Sequence, residues 1–169
     1  MERTGVITFK GNGLTLVGPA LKVGDAAPDC TVVDNALSPV SLSSFKGQVV
    51  IISAVPSLDT PVCEVQTQRF NKEAAALNAK VLSISMDLPF AQKRFCGAHG
   101  IAGIAVLSDY KDRDFAHKFG VYIKELGLIT RSVFVLDKDS KLTYQQIVAE
   151  VTEHPDYDQA LAAAKQAGA

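Results

Sequence analysis

The sequence predicts a single α/β domain whose sheet is mixed and covered by helices on both faces. Residues 49–55 are an apolar, β-branched run too short for a helix, residues 63–78 carry a helical stripe, and residues 80–85 return as a second short apolar run. Strand, helix and strand fall within the length of a βαβ unit, so a parallel pair is implied. Near the C-terminus, residues 130–136 and 142–148 flank the polar turn Asp137-Lys138-Asp139-Ser140 and read as a hairpin. With 169 residues, 47% hydrophobic and 21% charged, the chain makes one domain over residues 1–169 with a sizeable core. It holds no internal repeat, linker or low-complexity tract.

The elements follow in order. Residues 6–10 and 14–17 flank Gly11-Asn12-Gly13, and Asn-Gly between alternating segments predicts an N-terminal β-hairpin. Residues 25–34 hold two apolar patches broken by Pro28, and residues 37–47 read as a loop or short helical turn around Phe45. After the strand at 49–55, Pro56 is the terminator and Asp59, Thr60 and Pro61 supply a helix start, because Asp or Thr can cap free N–H groups and Pro suits the first helical position. The helix over 63–78 puts Phe70, Ala74 and Leu77 on one stripe. Asp87-Leu88-Pro89 starts a second, short helix that carries Phe90, Arg94, Phe95 and Cys96 and stops near Gly97. A strand over 105–109 precedes a helix over 112–119 stopped by Gly120, and Asp156 caps a last helix through Tyr157, Leu161 and Lys165.

Composition removes several function classes. A net charge of −1 and a pI near 6.3, with no Lys/Arg cluster, leave no electrostatic footprint for nucleic acid or an anionic membrane. The first ten residues lack the apolar core of a signal peptide and no run approaches a membrane span, so a soluble, cytoplasmic protein is expected. Gly11-x-Gly13 lacks the third glycine of a phosphate loop and leads into a strand. The acidic turn at 137–140 begins like a calcium loop, but Leu142 takes the place of the required Gly and Val148 that of the closing Glu. Cys96 and His99 make one C-x-x-H pair with no second pair at ligand spacing, which leaves zinc without a ligand set.

Three cysteines, Cys30, Cys63 and Cys96, are too few and too odd in number for a secreted disulfide scaffold. In a reducing compartment they point to redox chemistry or to packing. With Thr60 as N-cap, Cys63 is the third residue of its helix, where unpaired N–H groups and the positive end of the helix dipole favour a thiolate. The same position also suits a small buried hydrophobe. Cys30 has no helix start and no cation beside it, and reads as a packing residue.

Pro56-x-x-x-Thr60-x-x-Cys63 at a strand-to-helix turn resembles the active-site motif of the peroxiredoxins, a family with a thioredoxin-like fold. The resemblance is closer to the thiol peroxidase branch, two-cysteine enzymes of the atypical, intramolecular kind. Its signs are the N-terminal hairpin, the segment Asp87-Leu88-Pro89-Phe90-Ala91-Gln92-x-Arg94-Phe95-Cys96-Gly97, and His154-Pro155-Asp156-Tyr157, so that nearly the whole chain is covered.

The resemblance implies that Cys63 is the peroxidatic cysteine, that Cys96 is the resolving one, and that Pro56, Thr60 and Arg131 form the supporting pocket. Each role has a physical reason. Attack by sulfur on an O–O bond gives a sulfenic acid and charge on the departing oxygen, so the site must stabilise both. The permanent charge and several donors of Arg131 suit that task, and the Thr60 hydroxyl offers one directed hydrogen bond. Pro56 would shape and shield the pocket. A Cys63–Cys96 disulfide then protects sulfur from further oxidation, and because the two lie on separate predicted helices, its closure calls for local unwinding. Also implied are a hydroperoxide substrate, thioredoxin as electron donor, a homodimer, and no cofactor or metal. Cys30 matches no catalytic position of the family. The alternative reading is a peroxide-responsive sensor or holdase using the same disulfide as a switch; a thioredoxin-like disulfide reductase is disfavoured because no Cys-x-x-Cys pair is present.

Overall fold

The computed structural model describes residues 1–169, the side chain of Ala74 excepted. From the N-terminus, β1 (Glu2–Phe9) and β2 (Asn12–Val17) form one hairpin, and β3 (Thr31–Val33) and β4 (Pro39–Ser41) a shorter one that leads into a 3-10 turn at Leu42–Phe45. The βαβ unit follows as β5 (Val49–Ala54), α1 (Pro61–Ala74) and β6 (Ala79–Ser85). Next come α2 (Pro89–His99), β7 (Ala105–Ser108) and α3 (Asp114–Lys118), then β8 (Tyr122–Ile123), β9 (Leu128–Ile129), β10 (Ser132–Leu136), β11 (Leu142–Ile147) and α4 (Tyr157–Gln166).

The central sheet has the order β11-β10-β5-β6-β7-β3-β4. It is mixed as expected: β5, β6 and β7 run parallel, and the strands on either side of them are antiparallel. All six residues of β5 are buried because strands pair on both its edges and layers cover both its faces. Its two faces separate with the strand period. Val50, Ile52 and Ala54 join a cluster with Phe115, Phe119 and Phe134, whereas Val49 and Ile51 join Phe70 of α1 and Tyr157, Ala160 and Ala164 of α4. Burying each such aliphatic or aromatic side chain contributes about 1.5–3 kcal/mol, and this two-sided core fixes the end of β5 from which the functional loop departs.

The N-terminal hairpin is present, but it belongs to a separate four-stranded sheet of order β1-β2-β8-β9. Its turn also lies earlier than the Asn-Gly signal predicts. Phe9 faces Asn12 in the register, so the loop is Lys10-Gly11, with φ of 50° and 80°. Two positive φ values make the turn that matches strand twist. The Glu150 carboxylate accepts the Lys10 and Gly11 N–H groups at 3.0 and 3.1 Å, a tertiary contact that outweighs the local preference for Asn12-Gly13.

Two helix ends differ from expectation. α1 stops at Ala74 rather than at residue 78, because Ala79 must already pair with Val49 across the sheet. Phe70 of the expected stripe is buried, Leu77 packs from the following loop, and the side chain of Ala74 lies outside the described residues. α2 runs through Gly97 to His99 and ends at Gly100, whose φ of 63° is the left-handed conformation that terminates helices. No helix among the described residues is long and apolar enough to cross a membrane.

Candidate active site

The site begins where β5 ends. Pro56 is buried directly after the strand, and the loop that follows is fastened to the segment leading into α2: Ser57 Oγ donates to Asp87 Oδ1 and the Leu58 N–H to Asp87 Oδ2, both at 2.7 Å. Thr60 takes the extended N-cap conformation (φ −129°, ψ 148°) and Pro61 the first helical position. Cys63 is therefore third in α1. The Thr60 hydroxyl does not cap the helix, however; it donates to the Ser57 carbonyl at 2.9 Å and closes the loop on itself. The first-turn N–H groups carry no side-chain cap.

Cys63 is 0% exposed, and the group that meets its sulfur comes from the segment leading into β10, the strand paired with β5. Arg131, one residue before β10 and 2% exposed, donates from Nη2 to Cys63 Sγ at 3.3 Å, from Nη1 to Gln66 Oε1 at 2.8 Å and from Nε to the Val151 carbonyl at 2.9 Å. Gln66 is itself held, donating from Nε2 to Ser53 Oγ of β5 at 2.8 Å. None of these partners is a carboxylate. A buried guanidinium with neutral partners keeps its field for whatever anion forms beside it, and in a low-dielectric setting that field is strong. Tyr157 lies within reach of the same field. Burial pushes its phenol up, opposed by Arg131 and Arg69, whose guanidinium lies 4.1 Å from the ring centre. The phenol shares a 2.7 Å hydrogen bond with His154, and Asp156 caps α4 by accepting the Gln159 N–H at 3.0 Å.

Cys96 is half-buried on the last turn of α2. It packs against the apolar cluster that contains Cys63, Val55, Leu58, Ile101 and Val106, and all three cysteines are free thiols. Burial raises the Cys96 thiol above its ordinary value. The two cysteine helices also touch through His99, whose Nδ1 lies 3.0 Å from Gln68 Nε2 and 3.5 Å from Glu64 Oε1. Cys30 is elsewhere. It sits 3% exposed in the main core, where burial and then Asp109, Asp114 and Asp29 push its thiol up to about 12, so it is inert packing at neutral pH.

Of the residues singled out in the sequence, the structure joins Cys63 directly to Arg131 and places Cys96 in the same apolar cluster; Pro56 and Thr60 lie on the loop before Cys63, with the Thr60 hydroxyl turned to Ser57. The sequence reading passes over Gln66 and gives Asp87 no part in the site. Gln66 is one helical turn beyond Cys63 and so on the same face, a signal the spacing contains. Asp87 read only as a helix start. Beside the loop, Ser57, Leu58, Asp87, Arg94, Phe95 and His99 line a groove of about 350 Å³. Among the described residues no group of three or more His, Cys, Asp or Glu side chains could hold a metal ion.

The redoxin family model matches residues 22–161. The thiol peroxidase of Bacillus subtilis (strain 168) is 56% identical over 160 residues, covering 94% of this chain and 96% of that one. That of Oceanobacillus iheyensis is 54% identical over 156 residues, covering 92% and 95%. Among solved structures, a peroxiredoxin-like protein from Aquifex aeolicus superposes with a TM-score of 0.91 at 46% identity, covering 98% of this chain and 97% of its own. The thiol peroxidase from Chromobacterium violaceum, at a TM-score of 0.83 and 24% identity with 95% of each chain covered, shares the fold. The mixed sheet, its flanking helices and the N-terminal strand pair are thus the thioredoxin-like fold that the motifs implied, and this chain belongs to the redoxin family, in the thiol peroxidase branch of the peroxiredoxins.

Proposed function

We propose that this thiol peroxidase reduces hydroperoxides by attack of Cys63 and passes the oxidation to Cys96. The Cys63 thiolate attacks the terminal peroxide oxygen, the O–O bond breaks, and sulfur leaves as a sulfenic acid while the departing alkoxide or hydroxide takes up a proton. Cys96 then attacks that sulfur; an S–S bond forms, the S–O bond breaks and water departs. A dithiol donor, thioredoxin by family likeness, returns both thiols by exchange. The working state is a homodimer on the same ground, and the compartment is the cytoplasm, where thiols are kept reduced.

The observation that carries this reading is the Arg131 guanidinium at 3.3 Å from the buried Cys63 sulfur, with no carboxylate among its partners. It supplies positive charge to the thiolate and to the oxygen that leaves. Thr60 and Pro56 complete the pocket from the loop, the hydroxyl turning from Ser57 toward the peroxide when substrate enters. A direct disulfide needs Cα atoms within about 7 Å, and each sulfur now sits on its own helix, so closure includes unwinding at the start of α1 and the end of α2.

Stopped-flow mixing of the reduced chain with hydrogen peroxide or an organic hydroperoxide tests the order of events. Cys96→Ser is expected to stall as the Cys63 sulfenic acid, and Cys63→Ser to stay unreactive. Rapid oxidation of Cys63→Ser at another thiol would overturn the assignment.

A further inference from the structure

The carboxylate of Asp87 ties the loop before Cys63 to the segment that opens α2. Asp87 is itself fixed from behind: its N–H donates to Ser85 Oγ at 3.3 Å, its carbonyl accepts the buried Ser108 hydroxyl, and Pro89 starts α2 two residues on. Ser85 Oγ also accepts Gln92 Nε2 at 3.0 Å, so this side of the contact is built from buried polar groups of β6, β7 and α2. In front, Asp87 Oδ1 accepts the Ser57 hydroxyl, and Oδ2 accepts both the Leu58 N–H and the Ser85 hydroxyl, all at 2.7 Å. Ser57 passes the hold along the loop. Its Oγ accepts the Asp59 N–H at 3.2 Å and its carbonyl the Thr60 hydroxyl at 2.9 Å, and the Thr60 carbonyl accepts the Glu64 N–H at 3.0 Å, the bond that opens α1. A run of hydrogen bonds therefore leads from Asp87 to the turn of α1 that carries Cys63.

We propose that Asp87 is a positioning residue that latches the Cys63 loop: it keeps the sulfur beside Arg131 while peroxide reacts, and its release sets the rate at which Cys96 reaches the oxidised sulfur. The inference rests on the proposed assignment of Cys96 as the second thiol. In that step the S–S bond forms as the S–O bond breaks, and the displaced hydroxide leaves as water with the Cys96 proton. Arg131 and Gln66 grip α1 from Cys63 onward, whereas Asp87 accepts from the loop itself. Hydrogen bonds to a charged acceptor are about twice as strong as neutral ones, so the carboxylate makes opening of the loop costly. The anchor stays in place while the latch opens. Asp87 stands before the start of α2, which Gln92 holds through Ser85 and the Leu107 carbonyl, and Cys96 sits on the last turn of the same helix.

Asp87→Asn keeps the shape, since its oxygen can accept from Leu58 and Ser85 and its amide N–H can donate to Ser57 Oγ, but the bonds become neutral ones. Asp87→Ala removes them. Opening of the reduced chain, read as exchange of the Glu64 amide relative to its intrinsic rate, is expected to rise about threefold in Asp87→Asn and about tenfold in Asp87→Ala. Closure of the Cys63–Cys96 disulfide, followed in a single turnover with hydrogen peroxide, is expected to accelerate by the same factors, while sulfenic acid formation is no faster than in the wild type. Faster closure leaves less time for a second peroxide to give up an oxygen to the sulfenic sulfur, so the sulfinic share of Cys63 at excess hydrogen peroxide, read by mass, falls in the same order. A part in folding alone would not speed a chemical step. Where Asp87→Ala does not fold, Asp87→Asn and Ser57→Ala, which removes the Oδ1 contact, carry the test. Closure that is unchanged or slower in the folded variants overturns the proposal, as does unchanged protection of Glu64. A disulfide joining Cys63 to a thiol other than Cys96 would overturn the proposed function, and Glu64 exchange would still decide the role of Asp87.

Discussion

Arg131 enters the core with a carbonyl, an amide and a sulfur as its partners, and on the proposed mechanism this leaves its charge for the anions formed at Cys63. Lysine in its place keeps the charge and loses the fork that holds Gln66, Val151 and Cys63 together. Arg131→Lys is expected to slow sulfenic acid formation about a hundredfold, the usual scale for one lost donor to a developing oxyanion, read by stopped flow at fixed peroxide. Gln66 holds the fork in place. Gln66→Ala leaves Ser53 Oγ and Arg131 Nη1 without partners and should cost about 1–3 kcal/mol of stability, measured by chemical denaturation. Cys63 could be read from sequence because strand end, proline and helix start all converge on one thiol. Arg131 could not be read from local pattern, since an arginine at a strand start is usually solvated and its burial depends on elements distant in sequence. Gln66 offers only its helical spacing from Cys63, because an amide becomes informative only once something buried faces it.

The long elements were legible because each has one dominant period: β5 is buried on every side and α4 is capped by Asp156. The short ones were not. β8 and β9 have two residues each and exist only because β2 offers an edge, while β3 pairs with β7 through Val33 and Ser108. The Lys10-Gly11 turn is likewise a tertiary product of Glu150, whose carboxylate is lowered to about 2 by hydrogen bonds led by Thr8 and Gly11. Because the folded value lies below the ordinary 4.5, the contact stabilises the hairpin above that pH and is lost as pH falls toward about 2. Protection of the Lys10 and Gly11 amides, measured as exchange relative to the intrinsic rate at each pH, should therefore fall across that window in wild type. In Glu150→Gln the window should be absent.

At the scale of the whole molecule, the helix that carries Cys96 is held at its start and open at its end, whereas the start of α1 is held around Cys63. Gln92, near the start of α2, is buried and donates to Ser85 Oγ and the Leu107 carbonyl at 3.0 and 2.7 Å, whereas the last turn carries Cys96 half-buried and ends at a glycine. Oxidation is expected to remove amide protection around Cys63 and from the last turns of α2 while β5, β6 and β10 stay protected, as measured by exchange on reduced and oxidised chains. This is what a sequence can least express: the motif that marks a reactive thiol also marks a helix start, and only the packing shows that Asp87, Gln66 and Arg131 hold that start closed. The most direct test of the account is peptide mapping by mass after one equivalent of hydroperoxide is added to the reduced wild-type chain. The account predicts a single product lighter by two hydrogens, with the Cys63 and Cys96 peptides joined and Cys30 still a free thiol. A Cys63 left reduced while Cys30 or Cys96 is oxidised would contradict it.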